Sequence, residues 1–190
     1  MAAYSYSAAN IILNVRGLLN ELVADFWTDA QLTVYIDEAI RVIAERTGCY
    51  RTTASVNTVA ATRTVSFTGY KCLAIEYNKS ALIKIVPSQV GHIKIDGVTP
   101  QYWFELGSTA VIIPTPDTAY ALTLYLQGVP AAIGATTPVL PYSVCSIIPY
   151  FVVARALEQD RMIAPAAHYM SIFNNEVEFI ATGLLQNYPA

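Results

Sequence analysis

Few residues in this chain could carry chemistry. Its two histidines, His92 and His168, have no cysteine or second histidine nearby. A zinc site takes three or four ligands at short spacing. His92 reads as a solvent-facing strand residue and His168 as a helix-surface residue. The three cysteines, Cys49, Cys72 and Cys145, are far apart, odd in number and not in a Cys-x-x-Cys pair. Buried free thiols are the expected state. Carboxylates stand close together in Asp37-Glu38, Glu158/Asp160 and Glu176/Glu178. Two carboxylates that flank a scissile bond can hydrolyse a glycoside. Neighbours on a helix point in different directions, however, and each pair lies among other charges. These carboxylates read as solvated faces or inter-chain salt bridges. No Gly-x-Ser-x-Gly elbow, glycine-rich phosphate loop or His-Glu-x-x-His helix occurs. The sequence therefore assigns no catalytic residue, no cofactor and no metal.

Aromatic residues are the other candidates. Gln101-Tyr102-Trp103-Phe104-Glu105 sets three aromatics in a row, and adjacent side chains of a strand take opposite faces. If Tyr102 and Phe104 face the core, Trp103 faces out. There a loop covers it, or it contacts another chain or a sugar, since aromatics anchor interfaces. Tyr102 and Trp103 are candidate interface residues on this reading. Lys71, Lys79, Lys84 and Lys94 lie in the same region. Without an aromatic stacking platform beside them they are a weak nucleic-acid signal.

Composition sets the surroundings in which these residues act. Of 190 residues, 13% are charged and 54% hydrophobic, against a usual charged fraction of about 25%. Thr118 to Ala154 runs 37 residues without Asp, Glu, Lys, Arg or His. A chain so poor in charge hides much of its surface in a membrane or against other chains. A spanning helix needs about 20 consecutive apolar residues, and Pro130, Gly134, Pro138, Pro141 and Pro149 interrupt the run. Helical ends argue against an outer-membrane barrel. No basic residue precedes the first apolar run, so no secretory signal is expected and the cytoplasm is the expected place of synthesis. The net charge of −3 argues against a protein that grips phosphates.

The elements that position these residues change character along the chain. Ser7 caps an expected helix to Ala24, with Ile11, Ile12, Val15, Leu18, Leu19, Leu22 and Val23 as its apolar stripe. Thr28 and Gln31 form a capping box, Asp29 suits the helix dipole, and Gly48 ends the second helix. Leu32, Tyr35, Ile36, Ala39, Ile40 and Ile43 share one face. From Ala54 to Gly128 the period becomes two. Val65 and Phe67, then Leu73, Ile75 and Tyr77, then Ile93 and Ile95, then Leu122, Leu124 and Leu126, mark strands covered on one face. Asn78-Lys79-Ser80 and Asp96-Gly97 are turn signals. Pro114-Thr115-Pro116 stops the strand Ala110–Ile113. A linker from Pro130 to Pro141 leads to an all-round apolar helix from Ser143 to about Arg161, in which Pro149 either makes a kink or lies in the first turn. The last helix opens at Pro165 and aligns Tyr169, Met170, Phe173, Val177, Ile180 and Leu184. The expected fold is α+β: a four-helix bundle from residues 1–50 and 140–190, with an inserted antiparallel β module at 51–139 that includes the proline-rich return.

Several segments resemble one family. Phe26-Trp27-Thr28-Asp29-Ala30-Gln31-Leu32, followed by Tyr35-Ile36-Asp37-Glu38-Ala39-Ile40, resembles the opening of head-to-tail adaptor, or connector, proteins of tailed bacteriophages. Val111-Ile112-Ile113-Pro114-Thr115-Pro116, then Leu122-Thr123-Leu124-Tyr125 and Val129-Pro130, is similar to that family's strand, Pro-x-Pro break and strand. Pro138-Val139-Leu140-Pro141, and a helix with Tyr150, Ala154, Ala156 and Leu157, resembles its return to the bundle. The resemblance implies a ring, commonly of twelve copies, beneath the portal at the capsid vertex. It implies as partners the portal protein and a tail tube, nozzle or other tail protein. It also implies genomic DNA passing through the lumen without sequence-specific binding, and a place in the virion neck. It transfers no catalytic residue.

Two readings from different classes follow. The first is a structural virion protein, a ring-forming adaptor without enzymatic activity. In it the charge-free run, with Val144 and Ile148, is buried within the subunit and against ring neighbours. The second is a ligand- or glycan-binding module that uses the aromatic strand at Tyr102 to Phe104. A hydrolase using Glu158 and Asp160 is the weakest reading.

Overall fold

A computed structural model describes residues 7–21, 26–95, 97–132, 140 and 142–187. The expected apolar residues Leu22 and Val23, the turn residue Asp96, most of the linker and the side chain of Leu184 lie outside the described positions. The chain divides into two units, one from Met1–Tyr50 with Pro130–Ala190, the other Arg51–Val129.

The first unit is helical. Ser7 accepts the Asn10 N–H at 3.3 Å and starts α1, Ala8–Leu19. The helix stops five residues before the expected end because Asn20 turns left-handed, φ 57°, and returns its N–H to Arg16 and Gly17, a conformation that asparagine tolerates better than most residues. α2 spans Asp29–Thr47. Thr28 and Gln31 form the reciprocal capping box, and Gly48, φ 64°, closes the other end. Leu32, Ile36, Ala39, Ile40 and Ile43 are buried along one side.

The expected long helix from Ser143 is two helices, α3 over Tyr142–Cys145 and α4 over Ile148–Gln159. Pro149 has no N–H to donate and lies in the first turn of α4, where none is needed. It starts a helix rather than kinking one. α5 covers Ile163–Asn187, two residues ahead of the expected opening at Pro165. α4 packs on α1, α2 and α5, and α2 also meets α1 and α5. The core includes Ile11, Val15, Ile36, Ile43, Ile148, Val152 and Phe173, with Phe151 and Phe173 ring centroids 5.0 Å apart.

Polar contacts fix this packing at its rim. Arg155 reaches Glu38 at 3.3 Å and Glu158 at 2.8 Å. The Tyr35 hydroxyl donates to Gln159. Arg46 donates to Asn174 at 2.6 Å, near the end of α2. With 25 residues, α5 is about 37 Å long. It continues well past Asn174, and Val177 is its last buried residue among those described.

The second unit consists of two four-stranded sheets. Its strands are β1 Arg51–Asn57, β2 Thr64–Ser66, β3 Lys71–Tyr77, β4 Ser80–Ala81, β5 Ile83–Lys84, β6 Tyr102–Leu106, β7 Thr109–Ile113 and β8 Ala121–Gln127. The sheet orders are β1-β8-β3-β4 and β2-β7-β6-β5. All pairings are antiparallel except β5 with β6, which is parallel. A parallel neighbour requires a crossover, and residues 85–101 supply it.

The hairpin turn at Asn78-Lys79 has both residues left-handed, φ 49° and 65°, which matches the twist of paired strands. Between the sheets lie Val65, Phe67, Cys72, Ile75, Trp103, Ile112, Leu122, Leu124 and Leu126.

Three strand expectations change. A register shift between Cys72 and Ala74 puts Cys72 and Ile75 inward and leaves Leu73 at the surface. The alternation around Ile93 and Ile95 belongs to no strand: Pro87–His92 is a 3-10 helix within the crossover. Trp103 points inward, the reverse of its expected orientation.

Candidate functional site

The aromatic strand was the leading surface candidate, and its parity decides its role. Trp103 is 0% exposed at the centre of the β unit, while Tyr102 and Phe104 are half-buried. Alternation fixes which residues share a face but not which face is covered. The largest side chain took the site between the sheets, where it removes most apolar surface from water. Trp103 is therefore not a free platform for a sugar or a partner. The Lys84 ammonium lies 4.5 Å from its ring centroid. That ammonium also donates to the Cys72 carbonyl at 3.2 Å and pairs with Glu105 at 3.4 Å. Glu105 accepts the Cys72 N–H at 3.0 Å. This group of residues links the two sheets, and Trp103 Nε1 is buried without a hydrogen-bond partner.

Val144 is 3% exposed and Ile148 0%. Both side chains point into the helical unit, because the all-round apolar segment from which they come packs α4 against three other helices. Neither presents a surface to another chain. Exposed apolar residues stand elsewhere on this unit: Leu13, Val34, Ile163 and Phe179 are more than 60% exposed. Sequence spacing missed them because each sits off the main stripe of its helix. Leu13 and Leu18 of α1, with Ser146, Pro149 and Tyr150, line a depression of about 330 Å³. Another, about 600 Å³, lies on the outer face of the β unit beside Thr53, Leu73 and Tyr125. The Tyr125 hydroxyl is held there by Glu76 at 2.8 Å.

A second polar cluster organises the entry to α2. Arg16 is buried and donates to the Trp27 carbonyl at 2.7 Å and to Asp29 at 2.5 Å. Glu21 accepts the Phe26 and Trp27 N–H groups at 2.7 and 3.0 Å. Trp27 is buried against this frame, and Phe26 meets its ring edge-on at 4.9 Å. The Phe26-Trp27 pair of the family-like opening therefore serves to set α2 in place.

Several titratable groups have structural partners. Glu38 and Glu158 share Arg155, whose ionised form is favoured first by the Glu158 hydrogen bond. His92 and His168 are exposed, and His168 stands edge-on to Tyr169 at 5.7 Å. No three His, Cys, Asp or Glu residues among those described gather as metal ligands. The three thiols are free, with Cys72 and Cys145 buried and Cys49 partly so. Burial pushes Cys72 and Cys145 up to about 11 and also raises Cys49, which disfavours the reactive thiolate at all three. No helix among the described residues is long and apolar enough to cross a membrane.

Charge separates by unit. The helical unit has ten acidic and five basic side chains and no lysine. The β unit has four acidic and six basic side chains, with every lysine of the chain. What the described residues offer is two folded units, each with exposed apolar side chains.

No curated protein matches the chain. The family model described as SU10 adaptor protein matches residues 6–183. With nearly the whole chain covered, the protein belongs to the SU10 adaptor protein family and is a structural adaptor of a bacteriophage.

Proposed function

We propose that this protein is a ring-forming head-to-tail adaptor. Copies assemble beneath the portal, extend the channel through which the genome passes, and present the surface on which the tail is built. The observation that carries this reading is the family match over residues 6–183. The charge-poor surface supports it. Leu13, Val34, Ile163 and Phe179 are exposed on a chain with only 13% charged residues, and such side chains are suited to burial between subunits. A ring of front-to-back contacts covers two flanks of each copy. The mildly acidic chain suits a lumen that must let DNA slide without holding its phosphates.

In this reading the helices act as a four-helix bundle, with the β unit as a separate domain inserted between its halves. Twelve copies is the number that the adaptor resemblance implies. Contacts between copies fall to exposed residues such as Leu13 and Leu18, and to the half-buried Tyr102. Val144, Ile148 and Trp103 act from within, by holding the units that carry those contacts. Phe179, 76% exposed on the part of α5 that runs past Asn174, is the proposed contact to the portal.

The test uses recombinant protein mixed with assembled portal rings and analysed by native mass spectrometry. A portal bearing a full ring of this chain is expected, and Phe179→Glu should weaken the complex while leaving the helical content unchanged. A protein that binds neither portal nor tail assemblies overturns the proposal.

A further inference from the structure

The β unit has one long outer strand. β1 has seven residues and forms an outer strand of its sheet, with β8 as its one neighbour among the described residues. The other outer strands, β2, β4 and β5, have three, two and two residues. Edge strands are commonly guarded by lysine, proline or a bulge. The run Thr52-Thr53-Ala54-Ser55-Val56-Asn57 has none of these, and β1 pairs with β8 without a register break. In an antiparallel pair every second residue turns its N–H and C=O away from the neighbour. The inward side chains Thr52, Ala54 and Val56 are only half-buried, whereas Leu122, Leu124 and Leu126 of β8 are buried. The sandwich is thus unfinished beyond β1.

The same unit contains a strand-patterned segment that forms no strand among the described residues. Ile93 and Ile95 alternate with His92 and Lys94, and Ile93 has an extended backbone, φ −89° and ψ 131°. No strand is formed there. Ile95 is 43% exposed, and Val86 and Val98, on the same crossover, are also exposed. A local pattern at odds with the folded state marks a place where function shapes the sequence.

We propose that the extended segment at Ile93–Ile95 of one copy adds as a strand to the β1 edge of the next. This pairing rests on the ring reading above. Backbone hydrogen bonds would supply affinity, and the alternating isoleucines would supply register. Each copy carries one edge and one segment, so the contact is heterologous and can repeat around a closed ring.

Hydrogen exchange of the intact chain, followed by mass spectrometry, tests this as monomer and as ring, the latter formed alone or on portal. Amides of Thr52–Val56 that point away from β8, and those of Ile93–Ile95, should slow together in the ring, on the order of 100-fold. A ring in which β1 stays unprotected overturns the pairing and leaves the ring reading intact. Protection of β1 without Ile93–Ile95 shows that another strand occupies the edge and also overturns the pairing. Absence of any ring overturns both. Adjacent variants Ala54→Pro and Ser55→Pro give an independent check. One removes a bond to β8 and lowers the melting temperature. The other removes only an outward N–H and should abolish the ring while the fold persists. If the stable variant still forms rings, the pairing is wrong.

Discussion

Trp103 offers the sharpest perturbation, because its two replacements separate packing from polarity. Its side chain is completely buried between the sheets. Trp103→Ala should cost about 3–5 kcal/mol, the usual range for emptying an aromatic site. The loss of the Lys84 contact at 4.5 Å adds about 0.5–1 kcal/mol. Against a domain stability of about 5–15 kcal/mol, the β unit should become marginal or unfold. Trp103→Phe removes about two carbons of buried surface, worth about 1.6 kcal/mol. It also removes an indole N–H that is buried without a partner, and relief of such a group returns about 1–3 kcal/mol. The phenylalanine variant should therefore lie within about 1.5 kcal/mol of the parent, by the difference of these two figures. Fluorescence makes the assay local. The chain has two tryptophans, Trp27 in the helical unit and Trp103 in the β unit, both buried. Urea unfolding of the variants can be followed through Trp27 emission for the helical unit, and through amide hydrogen exchange of the central strand β8 for the β unit. Equal losses for Trp103→Phe and Trp103→Ala would refute the reasoning, since they would mean that the indole N–H is satisfied in solution.

Three further predictions concern stability. Ile148→Asp places an unpaired carboxylate at a fully buried site, at a cost of several kcal/mol, and should leave the helical unit unfolded by circular dichroism; Ile148→Val should cost only about 0.5–1.5 kcal/mol. Thr28→Ala breaks the capping box with Gln31 and should lower stability by about 1 kcal/mol in urea melts, with Thr28→Ser recovering most of it. Burial holds the Cys72 and Cys145 thiols protonated up to about 11 in the folded chain, against 9.0 for a free thiol. The folded state thus binds these protons more tightly. Their contribution is fully present below pH 9 and is lost as pH rises toward 11. Urea midpoints at pH 8 and 10.5 should differ less in Cys72→Ala/Cys145→Ala than in the parent.

Local chain chemistry made much of the fold legible. Ser7, Thr28 with Gln31, and Gly48 act through their nearest backbone neighbours, and each does in the structure what its type suggests. Leu122, Leu124 and Leu126 alternate on a central strand and are buried. Non-local effects were the illegible part. The parity of Tyr102-Trp103-Phe104 depends on which face of the strand the other sheet covers. The inward turn of both Cys72 and Ile75 depends on an irregular register against β8. Ile93 and Ile95 have the period of a strand but form none among the described residues. Asn20 did carry a signal for the early end of α1, as a residue that accepts the left-handed conformation. The candidate site divides the same way. The aromatic and apolar residues singled out by type, Trp103, Val144 and Ile148, hold the interior. The exposed Leu13, Val34 and Phe179 became visible only when the helices were packed.

The central claim is that this chain forms the ring between portal and tail. Electron cryomicroscopy of the neck of purified phage particles tests it most directly. The account predicts a closed ring of this chain seated on the portal, with the tail attached to its far side and the DNA path running through its centre. Density for this chain at another site in the particle, or no copy of it in the finished particle, would contradict the account.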